Sequence, residues 1–212
     1  MKLFCKFLPF LLVAFIFTSC LDYVQAISYR NGNYQIYYKF VVSRAFLELS
    51  GTDLSDVFGE LDKEASDDFP PTAECKKIKT DNEIGYEFRL TIDPRTTDET
   101  EKSFLPKISG NKCYIPFIFD EEENSFADSD FQNMDNDEKQ IYSVFLESAK
   151  CRVLVSKSII PFVETAFFEG TGGQNYSIPV FDYGECYALE IPCDVLVEKE
   201  NIRTDRIVII KG

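Results

Sequence analysis

The residues able to do chemistry are few and oddly chosen. The 212-residue chain has no histidine. That removes Ser-His-Asp and Cys-His catalysis, histidine metal sites and the usual pH switch near neutrality. Ser109-Gly110-Asn111-Lys112 has the Ser-x-x-Lys spacing of serine acyl-transferases. That chemistry needs the serine at a helix start with the lysine one turn on, and Gly-Asn makes a turn instead. Gly170-Thr171-Gly172-Gly173 is glycine-rich like a phosphate cradle, but no Gly-Lys-Ser/Thr follows it, so it reads as a hairpin loop. Asp128, Asp130, Asp135 and Asp137 could gather oxygen ligands around calcium. They lack the glycine and final glutamate of an EF-hand in register, and a solvated acidic loop is the simpler reading. The many carboxylates make no one pair stand out as catalytic. No cofactor and no enzymatic activity are expected.

Cysteine is the more informative residue. Of seven, Cys5 and Cys20 fall at the N-terminus and Cys75, Cys113, Cys151, Cys186 and Cys193 in the body. There is no Cys-x-x-Cys, which disfavours zinc ribbons and thioredoxin-type redox sites. Lys2 and Lys6 precede an apolar run, Phe7 to Phe17, of about 11 residues, too short to span a bilayer comfortably. It reads as a signal segment, residues 1–19, that takes the chain out of the cytoplasm. Phe17-Thr18-Ser19-Cys20 resembles the lipobox of bacterial lipoproteins, with Phe17 where leucine is usual. The resemblance implies that Cys20 is acylated and becomes the first residue. Val24-Gln25-Ala26 offers the competing cut, by ordinary signal peptidase, which would free a soluble protein starting at Ile27.

The elements around Cys20 bear on that choice. Asn31-Gly32 is a strong type I′ hairpin signal. It fixes the cross-strand partners: Tyr29 with Tyr34, Ile27 with Ile36, Gln25 with Tyr38, Tyr23 with Phe40 and Leu21 with Val42. That face is apolar or aromatic except at Gln25. The register runs back to Leu21, so a cut after Ala26 would delete most of the first strand. Lipidation at Cys20 is therefore the favoured reading.

The rest of the chain reads as residues 20–212 in a single α+β envelope domain: antiparallel β-sheet, an N-terminal β-hairpin and two or three helices segregated to one side. Ser43 caps a short helix from Arg44 to Leu49. Leu54, Val57, Phe58 and Leu61 have helical spacing, as do Ile141, Val144, Phe145 and Ser148. Ile84 to Ile92 alternates as a half-buried strand. Further strands are expected at Phe104–Ile108, Cys113–Phe119, Cys151–Ser156, Val163–Phe168, Tyr176–Phe181, Tyr187–Val197 and Arg206–Lys211. Four Ile-Pro pairs mark strand edges or bends, because proline cannot donate to a central ladder. Residues 120–138 hold nine acids and no base and read as a mobile loop.

The formal charge is −14. Without residues 1–19, 20 basic residues face 36 acidic ones, a charge of −16. Such a surface repels nucleic acid and anionic headgroups alike. Attachment to a membrane would rest on the acyl chains of Cys20, which hold stably when two or more are present.

The stretch "CLDYVQAISYRNGNYQIYYKFVVSRAFLEL", followed late by "IIPFVETAFFEGTGGQNYSIPV", resembles uncharacterised bacterial envelope lipoproteins, especially those of spirochaetes. The order of hairpin, helix and late β-region is also similar to LppM-like envelope domains, some of which are thought to bind lipid. These resemblances imply a non-enzymatic, membrane-anchored lipoprotein, at the outer membrane or the periplasmic face of the inner one. It would bind an apolar ligand, a lipid or another envelope protein. A structural or surface-exposed module with no small ligand is the alternative, and a carboxylate- or cysteine-based enzyme a weaker one. Leu21 lacks the retention-type aspartate that sorts enteric lipoproteins.

Overall fold

A computed structural model describes residues 21–50, 70, 72–117, 149–170, 172–198 and 202–212. Its first two strands are β1 (Leu21–Arg30) and β2 (Asn33–Ser43), paired antiparallel from Leu21↔Val42 to Arg30↔Asn33. The hairpin register read from the sequence is the observed one. Asn31 (φ 55°) and Gly32 (φ 87°) both take positive φ, as a type I′ turn requires. The Tyr29 and Tyr34 rings, 4.8 Å apart, close the pair beside the turn.

The remaining strands are β3 (Glu74–Lys79), β4 (Glu83–Ile92), β5 (Lys107–Ser109), β6 (Lys112–Pro116), β7 (Lys150–Ser156), β8 (Val163–Glu169), β9 (Asn175–Ile178), β10 (Val180–Asp182), β11 (Cys186–Pro192) and β12 (Arg206–Lys211). They form two sheets, in the orders β10-β11-β7-β1-β2-β4-β3 and β5-β6-β12-β8-β9. All pairings are antiparallel except β1 with β7.

One face of the seven-stranded sheet is built from rows that run across its strands. Tyr187, Val155, Ile27, Ile36 and Leu90 are successive partners, as are Leu189, Val153, Gln25, Tyr38 and Phe88. This face meets Cys113, Ile115, Ile207, Ile209, Ala166, Phe168 and Ile178 of the other sheet in one apolar core. Phe117 links the layers: its ring lies 5.4 Å from Tyr23 and 5.8 Å from Phe168. The two sheets thus cover one another as a sandwich.

This architecture overturns the α+β expectation. The described helices are α1 (Arg44–Ser50), α2 (Glu99–Lys102) and α3 (Cys193–Glu198), of seven, four and six residues. At 1.5 Å per residue none is long enough to cover a wide sheet. The opposing layer is the second sheet, and the described helices do not form a layer of their own. The sheet is also not purely antiparallel, because β7 lies parallel to β1.

Other corrections are local. The expected strand from Tyr176 to Phe181 breaks at Pro179: β9 belongs to the five-stranded sheet and β10 to the seven-stranded one. Proline supplies no N–H there, and the chain uses the break to change layers. The expected strand from Tyr187 to Val197 stops at Pro192, where α3 begins. Edge strand β3 was not anticipated, since Glu-Cys-Lys-Lys-Ile-Lys has no clean alternation. The 1–19 segment, the helix through Leu54 and Leu61, the acidic 120–138 segment and the helix through Ile141 and Ser148 lie outside the described residues.

Candidate functional site

The aromatic residues of the inner sheet faces belong to the core. Tyr23, Tyr38, Phe88, Phe104, Phe117 and Phe168 are all buried between or beside the sheets. Gln25, the one polar residue on the inner face of the hairpin, is wholly buried. Its Nε2 donates to the Pro116 carbonyl at 2.7 Å and to the Tyr38 hydroxyl at 3.3 Å. It thereby bonds β1 to the end of β6 in the facing sheet. Its Oε1 has no hydrogen-bond partner among the described residues. Burial pushes the Tyr38 phenol well above its ordinary range, so it stays protonated and able to donate.

The concave feature lies on the opposite, outward face of the seven-stranded sheet. There an open cleft of about 610 Å³ runs over β7, β1, β2, β4 and β3. Register explains its floor. Leu154, Ala26, Tyr37, Arg89 and Glu74 are successive cross-strand partners, and Ser28, Gln35 and Thr91 form the next row. Small side chains at Ala26 and Ser28 leave the middle low, while Tyr37 and Arg89 rise beside it. The Arg89 guanidinium stands 5.8 Å from the Tyr37 ring and ion-pairs with Glu87. Glu87 is nearly buried and also lies 3.8 Å from the Lys76 ammonium. Partial burial, then the Glu87 charge, raise the Tyr37 phenol above its usual value. Cys186 and Ser156, cross-strand partners, close one end. The lining is mixed: aliphatic side chains such as Leu154 and Ala26, hydroxyls, the Gln35 amide, one arginine, one glutamate and one aromatic ring. That composition offers both apolar surface and polar groups able to bond a peptide backbone.

The described residues singled out for chemistry do not form a catalytic constellation. Ser109 and Lys112 face each other across the β5–β6 turn, and the Lys112 ammonium lies 3.6 Å from Glu169. That is strand geometry, not the helical start the acyl-transfer chemistry needs. Gly170 and Gly173 close the β8–β9 loop through a Gly173 N–H to Gly170 carbonyl bond of 3.1 Å. Cys20, Asp128, Asp130, Asp135 and Asp137 lie outside the described residues. Among the described residues, no group of three or more Cys, Asp or Glu is placed to hold a metal ion, and no helix is long and apolar enough to cross a membrane. The cleft was missed because nothing in one strand marks it. It arises from small residues of β1 aligned with larger ones of β2 and β4, a relation visible only once the sheet order is known.

Comparisons with protein-family models, with curated proteins and with solved structures return no match.

Proposed function

We propose that the chain is a lipid-anchored, non-enzymatic module of the bacterial envelope that engages another envelope protein through the outward cleft of its larger sheet. The observation that carries the anchored half is the place of β1. This strand reaches back to Leu21, the first described residue and the one after Cys20, and is hydrogen-bonded on both flanks, to β2 and to β7. An ordinary cut after Ala26 would remove the first half of a central strand. A cut before Cys20 leaves it whole.

The same placement orients the domain. Leu21, Ser43, Ala149 and Cys193 gather at one end of the larger sheet, and the Asn31-Gly32 turn marks the other. A ten-residue strand spans about 33 Å, so the turn would stand that far from the acyl chains, with no tether between them. The cleft then opens sideways, within reach of a neighbour on the same membrane.

The mixed lining, with Arg89, Glu74 and several hydroxyls beside aliphatic side chains, favours a protein segment over a purely apolar ligand. A photoreactive residue at exposed Thr91, in the cleft, is compared in intact cells with one at exposed Lys107, on the other sheet. The expected result is a discrete protein adduct from position 91 alone, lost with Arg89→Glu. Adducts to lipid only, or equal labelling from both positions, would contradict the cleft as a protein-binding surface.

A further inference from the structure

The core holds a pair of thiols that the binding reading does not use. Cys151 is the second residue of β7, and Cys193 opens α3 directly after β11. Antiparallel pairing of β11 on β7 places Ile191 opposite Cys151 and Pro192 opposite Lys150. The Cys193 N–H then donates to the Ala149 carbonyl at 3.0 Å, turning the chain back over the start of β7. As a result two residues 42 positions apart bring their sulfurs to 3.7 Å, both buried. That is sulfur contact short of a bond, and a disulfide of about 2.05 Å needs only a modest approach.

We infer that Cys151 and Cys193 close a structural disulfide when the chain folds in an oxidising compartment. The oxidant is a disulfide donor, either glutathione disulfide or an oxidoreductase. One cysteine thiolate attacks a donor sulfur, forms a mixed disulfide and releases a donor thiolate. The second cysteine thiolate then attacks its partner's sulfur, the Cys151–Cys193 bond forms, and the second donor thiolate leaves. Two electrons pass to the donor, and the two cysteine protons go to solvent or to the released thiolates. In the folded, reduced protein the contact with Cys193 and burial hold the Cys151 thiol well above its ordinary range. Its thiolate is therefore scarce there, and the exchange belongs to the stage before β11 and α3 seal the site. The bond would tie β7 to α3 and close the intervening β8 to β11 into one loop. Cys75, Cys113 and Cys186 sit on β3, β6 and the start of β11.

The source of the oxidant rests on the exported reading; the identity of the pair does not. Cells expressing the full chain are quenched in acid, alkylated under denaturing conditions, digested and mapped by mass spectrometry. The purified chain is separately reduced, unfolded and refolded in a mixture of reduced and oxidised glutathione, then mapped in the same way. The expected result in both is one linked peptide pair holding Cys151 and Cys193, with Cys113 and Cys186 alkylated. Reduction should lower the thermal midpoint by about 10 °C. A linked pair after refolding but alkylated thiols in cells would leave the pair standing and count against export. Refolded protein in which Cys151 and Cys193 are both alkylated, or linked to other cysteines, would overturn the inference.

Discussion

A chain that starts at Ile27 is expected not to form the sandwich, whereas one that starts at Leu21 folds cooperatively. The six residues between them pair with Tyr37 to Val42 of β2, and five of them also with Lys150 to Leu154 of β7. They carry Tyr23, in the core, and Gln25, whose amide bonds the facing sheet. Losing a buried aromatic costs about 3–5 kcal/mol. Each lost hydrogen bond adds about 1 kcal/mol, and more where a buried partner is stranded. Two ladders go at once, so the sum reaches the whole stability of a typical domain, about 5–15 kcal/mol. Near-ultraviolet circular dichroism and a urea titration of the two proteins decide it. A cooperative transition of equal midpoint in the Ile27 form would remove the physical argument for a cut at Cys20.

Gly85→Ala is expected to be the most damaging conservative change in the sheet. Gly85 pairs with Val41 across β2 and β4, with φ of 157°. A Cβ there would stand 1.9 Å from the Phe40 carbonyl oxygen and 2.7 Å from the Val41 Cα. Both are backbone atoms inside a ladder, so no side chain can swing away to make room. Either β2 and β4 separate locally or the Gly85 backbone turns and loses its bonds. The expected cost is about 3–5 kcal/mol, at the severe end for single substitutions. Gly172→Ala is the control, because a Cβ at Gly172 meets open space; its effect should stay within about 0.5 kcal/mol. Similar urea midpoints for the two variants would mean that β2 does not approach Gly85 as described.

The hairpin was legible because its determinants are local. Asn31-Gly32 sets the turn, and period-two alternation sets the faces, so every pair from Leu21↔Val42 onward follows. Strand β4 was legible for the same reason. What one sequence hides is which strands share a sheet. Cys113, Ile115, Ile207 and Ile209 read as strand residues, but nothing local says that they face the first sheet rather than extend it. Without that second layer in view, a single sheet covered by helices is the simplest arrangement, and the α+β expectation follows from it. Pro179 was read as a possible bend, yet only the strand order reveals it as a crossing between sheets. The cleft is a relation among β7, β1, β2, β4 and β3, and the Cys151–Cys193 contact joins positions 42 apart. Both depend on long-range pairing.

The central claim is that Cys20 becomes the acylated first residue of a domain whose central strand reaches back to Leu21. Labelled palmitate supplied to growing cells, followed by immunoprecipitation and mass analysis of the N-terminal peptide, tests it most directly. The expected result is label in the wild-type protein, an N-terminal peptide that begins with modified Cys20, and no label in Cys20→Ala. An unlabelled wild-type protein that begins at Ile27 would contradict it.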